Sequence, residues 1–117
     1  MSAVDTEAAA AGALAHPDCN QFELAAVLHA LSDPVRLQIV ATLANGEELP
    51  CSALELPVSK STCTHHFKVL REAGILSQRV VGTMRLNSLR RDDLDGCFPG
   101  LIDAVISSAP GPSPARR

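Results

Sequence analysis

The segment that most constrains the fold runs from residue 59 to residue 74. Ser59 is a good N-cap, because its hydroxyl can accept a hydrogen bond from a free backbone N–H of the first helical turn. Gly74 suits the position after a helix, where a left-handed backbone is common. Between them Cys63, Phe67 and Leu70 recur at helical spacing and form an apolar stripe. The sequence therefore predicts one amphipathic helix over these residues.

The opposite face of this predicted helix is small, polar and cationic, and it carries no acid before Glu72. Short side chains let a helix approach base edges and phosphates closely in the major groove of DNA. We therefore predict that this helix reads DNA. The short donors on this face are Lys60, Ser61, Thr62, Thr64, His65 and Lys68.

Charge is distributed unevenly along the 117 residues, whose net charge is −3. Residues 60–91 hold seven Lys or Arg against one acid, whereas residues 1–59 hold eight acids against one Arg. Such a segregated positive segment is typical of a nucleic-acid-binding surface, whatever the net charge. A solvated charged face would produce the same pattern, so charge supports DNA binding only together with the helix.

The N-terminal half predicts a flexible arm over residues 1–16, followed by helices over 18–31, 33–44 and 50–56. Asp33 is placed to cap the second of these helices, and Pro34 suits its first position because no N–H is needed there. The short third helix leads through a tight turn into the helix after Ser59. This arrangement predicts a helix-turn-helix.

The C-terminal half predicts a β-hairpin and a last helix. Residues 75–81 and 84–89 alternate in polarity around Gly82 and Thr83, which indicates two strands and a tight turn. A last helix is expected from Asp92 to residue 107, and residues 108–117 are expected to be disordered. The predicted class is mainly α with a small β-hairpin, a winged helix-turn-helix domain over residues 17–107 for DNA binding and dimerisation.

The predicted last helix carries a clean apolar stripe. A helix-turn-helix core of about 60 residues can bury little surface, so we expect the stripe and the first helix to form a two-fold dimer interface. Packing of the stripe on its own domain is the alternative. The residues expected at the interface are Phe22, Phe98, Leu101, Ile102, Val105 and Ile106.

Other classes of protein find little support. No apolar run approaches the roughly 20 residues of a membrane span, and no signal peptide is apparent, so we expect a cytoplasmic protein without membrane contact. Its four cysteines are then expected to be thiols. No combination of nucleophile and base and no Gly-rich phosphate loop is found, so neither an enzyme nor a cofactor is predicted.

Three stretches resemble the ArsR/SmtB family of bacterial winged-helix repressors. They are Leu-Ser-Asp-Pro-Val-Arg-Leu-Gln-Ile-Val at 31–40, the hairpin, and residues 59–76 with the specific string His-His-Phe-Lys-Val-Leu-Arg-Glu-Ala-Gly. The resemblance spans residues 24–106. It implies four helices, two strands and a fifth helix, with the first and last helices pairing in a homodimer. It also implies repression of an operator in double-stranded DNA, relieved by an effector.

Position by position, the resemblance extends the set of DNA contacts to the predicted wing. Cys63 stands where the family usually has Val, so we interpret it as a small core side chain. His65 is expected on DNA, whereas His66 could instead be partly buried or position the backbone. The family's base-facing positions correspond to Lys60, Ser61, Thr62, Thr64, His65 and His66, and its wing positions to Arg79 and Arg85.

The metal sites of the resembled family are not reproduced. The thiolate pattern Glu-Leu-Cys-Val-Cys-Asp-Leu aligns with residues 48–54, where the two ligand positions are Pro50 and Ser52. The predicted last helix has no His for zinc, and the predicted helix over 33–44 has no Cys to pair with Cys97. We therefore expect no metal site and leave the effector unidentified. Two alternatives remain, a thiol or metalloid site formed by Cys19 and Cys51, and a winged-helix protein-interaction module without DNA binding.

Overall fold

The computed structural model describes residues 16–109. The predicted arm and tail lie almost wholly outside these residues, so the domain boundaries stay predictions. Within the described residues there are five α-helices, two single-turn 3-10 helices and three strands. In chain order they are a 3-10 turn at Cys19–Gln21, α1 (Leu24–Ala30), α2 (Pro34–Leu43), β1 (Leu49–Pro50), a 3-10 turn at Cys51–Ala53, α3 (Lys60–Glu72), β2 (Leu76–Val81), β3 (Met84–Leu89), α4 (Arg91–Cys97) and α5 (Leu101–Ser108).

The two central helices begin where the sequence predicts. Asp33 caps α2 by accepting hydrogen bonds from the backbone N–H groups of Val35 at 2.9 Å and Arg36 at 3.1 Å. The Ser59 hydroxyl caps α3 by accepting from the N–H of Thr62 at 3.2 Å. These caps stabilise each helix by satisfying donors that have no partner within the helix.

Gly74 ends α3 in the left-handed conformation, with a φ of 92°. The same glycine is also required by packing, because a Cβ here would lie only 2.3 Å from the Phe22 ring. The left-handed backbone at the end of α3 and the close contact with Phe22 therefore both require glycine at position 74.

The core is aliphatic and lies between α2, α3 and α5. The predicted stripe of α3 is confirmed, since Cys63, Phe67 and Leu70 are all buried in one cluster with α2 residues such as Ile39. Ile102 of α5 is fully buried in the same cluster.

The predicted hairpin is confirmed, and it is part of a three-stranded antiparallel sheet of order β1-β3-β2. The register pairs Leu76 with Leu89 and Val81 with Met84, which leaves two residues for the turn. The strand β1 was not predicted. It pairs Leu49 with Asn87 at the edge of the sheet, a position that tolerates its proline.

The predicted helix over 50–56 is wrong. Leu49 and Pro50 join the sheet, and only one 3-10 turn follows before Leu54, which is buried in the core. Strand pairing and burial of Leu54 together override the helical pattern of this segment, because both contacts are made with residues distant in sequence.

Two other predicted helices are shorter than expected. The predicted last helix is broken into α4 and α5 at Gly100, whose φ is 86°. The predicted first helix begins only at Leu24, because Phe22 is extended and its ring packs on Gly74. No single helix in residues 16–109 is long and apolar enough to cross a membrane, although α1 and α2, bent by 99°, pass that test as a pair.

Candidate nucleic-acid interface

The exposed side of α3 carries six of the nine side chains predicted to contact DNA. Hydroxyl groups in the first turns of α3 hydrogen-bond within the helix. The Thr64 hydroxyl donates to the Lys60 carbonyl at 3.0 Å, and the Ser59 hydroxyl donates to the Thr62 hydroxyl at 2.9 Å. We call this side the polar face of α3. Its exposed residues are Lys60, Ser61, Thr62, Thr64, His65 and Lys68.

His66 is the exception, and its assignment to the DNA-contacting set is corrected here. Its side chain points inward and is only 8% exposed. Its Nδ1 lies 3.0 Å from Nη1 of Arg36, and its Nε2 lies 3.9 Å from a carboxylate oxygen of Asp33. Because an arginine can only donate, Nδ1 accepts, and the neutral ring carries its proton on Nε2. His66 therefore ties α3 to the start of α2.

The wing, defined as β2, β3 and their turn, exposes both predicted arginines. Arg85 makes no side-chain hydrogen bond or ion pair with any described residue. Arg79 donates to both carboxylate oxygens of Glu48, with distances of 2.6 and 2.8 Å. These hydrogen bonds and the positive charge of Arg79 lower the pKa of Glu48 below its ordinary value. One wing arginine is thus unpaired, and the other is held by an acid.

A chain of amide hydrogen bonds fixes the wing against α3. Arg71 donates to the Gln78 side chain at 2.9 Å, and Gln78 donates to the Asn87 side chain at 2.6 Å. Asn87 in turn donates to the Leu49 carbonyl at 3.1 Å. Gln78 and Asn87 are both buried, where unpaired amides would be costly. The sequence interpretation missed them, and the available signal was an amide in each strand of the hairpin.

A groove of about 550 Å³ separates α3 from the wing. Cationic side chains from both elements line it, including Lys60, Lys68 and Arg71 from α3 and Arg85 from the wing. Polyanions are attracted to a concave surface lined by one sign of charge. The structure therefore brings the helix and wing cations to one groove.

Arg90 and Arg91, at the end of the positive segment 60–91, form ion pairs within the fold. Arg90 pairs with Asp93 at 2.9 Å and lies 4.9 Å from the centre of the Phe22 ring. Arg91 pairs with Asp95 at 3.2 Å and also with Asp103. These contacts pair both arginines with acids of the same helical region, away from the groove between α3 and the wing.

The residues predicted to form a dimer interface divide into two groups. Ile102 is fully buried in the core of its own chain and is not available to a second chain, whereas Phe22 packs on Gly74 and Arg90 and is half-buried. Leu24 and Leu28 of α1, which were not predicted, are each 48% exposed. The remaining predicted residues are half-buried, namely Phe98, Leu101, Val105 and Ile106.

The cysteines that lie in contact are not Cys19 and Cys51, the pair considered from the sequence. The Cys51 Sγ lies 3.5 Å from the Cys63 Sγ, whereas the Cys97 thiol donates to the Cys19 carbonyl at 3.3 Å. Burial is the main cause that raises the pKa of the Cys63 thiol to about 12, and the neighbouring Cys51 thiol raises it further. Among residues 16–109 no three His, Cys, Asp or Glu side chains are grouped to hold a metal ion.

An exposed polar helix face followed by a hairpin with outward arginines defines a winged helix-turn-helix protein. A family model described as a helix-turn-helix domain matches residues 31–79. The chain is 37% identical over 84 residues to the uncharacterised HTH-type transcriptional regulator YceK of Bacillus subtilis, covering 69% of this chain and 84% of the relative.

Two further comparisons define the family. The chain is 36% identical over 74 residues to the arsenical resistance operon repressor of Staphylococcus xylosus, covering 62% of this chain and 71% of the relative. The crystal structure of the transcriptional repressor BigR from Xylella fastidiosa is similar, with a TM-score of 0.57, 29% identity and coverage of 72% of this chain and 83% of BigR. The chain belongs to the ArsR family of helix-turn-helix transcriptional regulators, which is not an enzyme class.

Proposed function

We propose that this protein is a homodimeric repressor that binds operator DNA through α3 and the wing until an effector releases it. The observation that carries the proposal is the polar face of α3, whose residues are exposed and share a groove lined by cations with the wing. The relatives named as repressors support the direction of regulation. The proposal places the protein in the cytoplasm and involves no membrane or cofactor.

The side chains on α3 and the wing divide into two roles on DNA. Thr64 and His65 are short exposed donors or acceptors, suited to base edges in the major groove. Lys60 and Lys68 on α3 and Arg85 on the wing are exposed cations, suited to phosphates, which position the protein but carry no sequence information. Ser61 and Thr62, at the first turn, suit either role.

Apolar surface on α1 and α5 supports the proposed homodimer. Leu24 and Leu28 of α1 are half-exposed, and a groove of about 320 Å³ between α1, α2 and α5 is lined by Leu28, Leu37 and Val105. A two-fold interface would cover these side chains and would place two α3 helices on successive half-sites about one helical turn of DNA apart.

Titration of the full-length chain onto its own upstream DNA and onto random duplex of equal length tests the proposal. We expect tighter binding to the upstream DNA and a steep loss of affinity as salt rises, because bound cations release counterions from the phosphates. Equal affinity for both duplexes would contradict operator binding. It would favour the alternative of a protein-interaction module.

The oligomeric state is tested separately by analytical ultracentrifugation. We expect a dimer for the native chain and a monomer for Leu28→Glu, because the new charge would be buried at the interface. The matched control is Met84→Glu at the wing, where the native side chain is 46% exposed, and which should leave the dimer intact. A native monomer at the concentrations that bind DNA would contradict the homodimer.

A further inference from the structure

We propose that Cys51 and Cys63 form a redox site, a dithiol that a hydroperoxide oxidises to an intramolecular disulfide. The two residues are 12 positions apart and lie on different elements, the second 3-10 turn and α3. Their sulfur atoms are nevertheless 3.5 Å apart. The fold therefore holds two thiols in contact, where one can attack a sulfur atom activated on the other.

A small oxidant can reach this pair. Both cysteines line the groove between α3 and the wing, together with apolar side chains such as Leu54 and Phe67. Cys51 is half-buried and borders the open space, whereas Cys63 is only 6% exposed. A peroxide entering the groove therefore meets Cys51 first.

The two thiols have different roles in the reaction. Cys51 borders the open groove, whereas Cys63 is 6% exposed, so the peroxide reaches Cys51. The thiolate is the reactive form of cysteine, and burial, which raises the pKa of the Cys63 thiol, disfavours the thiolate at Cys63. Cys51 is accordingly the attacking residue, and Cys63, in contact with it at 3.5 Å, is the resolving one.

The chemistry balances in two steps. The Cys51 thiolate attacks one oxygen of hydrogen peroxide, and the O–O bond breaks, so Cys51 becomes a sulfenic acid. The departing hydroxide becomes water by taking up the proton that the Cys51 thiol released on ionisation. The sulfur of Cys63 then attacks the sulfur of Cys51, the S–O bond breaks, and the departing hydroxide takes the Cys63 proton as water. Two thiols are oxidised by two electrons, and one peroxide is reduced to two waters.

The bond would act directly on the polar face of α3. Cys63 lies between Thr62 and Thr64, and the sulfur atoms must approach from 3.5 Å to about 2.05 Å to form the bond. This closure pulls the N-terminal half of α3 towards the 3-10 turn at Cys51–Ala53. We expect Kd for operator DNA to rise about tenfold, within the usual range for coupled sites. This part of the inference rests on the proposed function.

The test of the site uses the full-length double variant Cys19→Ser/Cys97→Ser, which retains only the two relevant thiols. Hydrogen peroxide should remove both free thiols, and peptide mapping without reductant should show Cys51 linked to Cys63. The rate should not depend on protein concentration, and dithiothreitol should restore both thiols. Adding Cys63→Ala should leave a sulfenic acid on Cys51 that dimedone traps. Retention of both thiols, or links between chains only, would overturn the site.

DNA binding by reduced and oxidised protein separates the possible failures. A reduced protein that does not prefer its upstream DNA overturns the proposed function, and the disulfide mapping still decides the redox site. A mapped disulfide that leaves operator affinity unchanged overturns the regulatory part alone. The expected result is a weakened complex in peroxide, recovery in dithiothreitol, and no peroxide response in Cys51→Ser.

Discussion

Arg36 of α2 and His66 of α3 are joined by a buried hydrogen bond of 3.0 Å between Nη1 and Nδ1. Arg36 also donates to the Ala30 carbonyl at 2.6 Å, so one guanidinium connects the end of α1, the start of α2 and the middle of α3. This connection helps to orient the polar face of α3, because the buried His66 directly follows His65, which is exposed on that face.

Replacing this arginine should destabilise the fold. In Arg36→Met the Ala30 carbonyl and His66 Nδ1 would lose their buried donor, which should lower the free energy of unfolding by about 2 kcal/mol. Urea denaturation measures the change. The control is Arg85→Met, whose native side chain is exposed and unpaired among the described residues, with an expected change within about 0.5 kcal/mol. Equal losses in the two variants would contradict the role of Arg36.

Gly74→Ala should be more costly than Gly82→Ala, although both glycines have positive φ, 92° and 63°. Each substitution should cost about 1–2 kcal/mol for the left-handed backbone. At Gly74 the new Cβ also meets the Phe22 ring, whereas nothing lies within 4 Å of it at Gly82. We expect about 1–3 kcal/mol more at Gly74. A double variant with Phe22→Ala should cost less than the sum of its single changes, as measured by thermal or urea unfolding, and strict additivity would rule out the contact.

Lys68→Ala, Arg79→Ala and Arg85→Ala should each weaken binding to all DNA sequences, if each cation contacts a phosphate. Each should also lower the slope of log affinity against log salt concentration by about one.

Glu48 competes with DNA phosphates for Arg79 in the free protein. Glu48→Gln should therefore tighten binding in wild type but much less in a chain that already carries Arg79→Ala. Fluorescence anisotropy at several salt concentrations measures both effects. Unchanged slopes would exclude phosphate contacts.

Thr64→Ala and His65→Ala should alter the preference among operator sequences, with a loss of about 1–3 kcal/mol on the best operator and little loss on random duplex. Competition assays with single-base operator variants measure this preference. A change at Ser107, an exposed residue at the far end of α5, serves as the control. Equal losses on specific and random DNA would show that these side chains do not read bases.

The pKa of Glu48 should lie below its ordinary value of 4.5, because Arg79 hydrogen-bonds and attracts the carboxylate. Because folding lowers the pKa of Glu48, its ion pair with Arg79 stabilises the fold at any pH above the pKa of Glu48 in the unfolded chain. This stabilisation is lost as the pH falls through the lower pKa that Glu48 has in the folded chain. The pair is exposed, so its effect on stability should be small. NMR titration of the Glu48 carboxyl carbon measures the shift, and Arg79→Gln should return the pKa towards 4.5.

Features that follow local rules could be predicted from the order of the residues alone. The caps at Asp33 and Ser59, the stop at Gly74 and the two-residue turn of the hairpin each depend on residues within a few positions of one another. The apolar stripe of α3 follows from helical periodicity alone. These signals were sufficient for the winged-helix class and for most of the exposed polar face.

Packing between distant segments determines which polar side chains are buried and which are paired across the fold. His66 shares the polar segment of α3 but is drawn inward by Arg36, 30 positions earlier. Arg79 is held by Glu48, 31 positions earlier, and Cys51 lies against Cys63, 12 positions later. Such pairings depend on packing between distant segments, which neither periodicity nor capping signals encode.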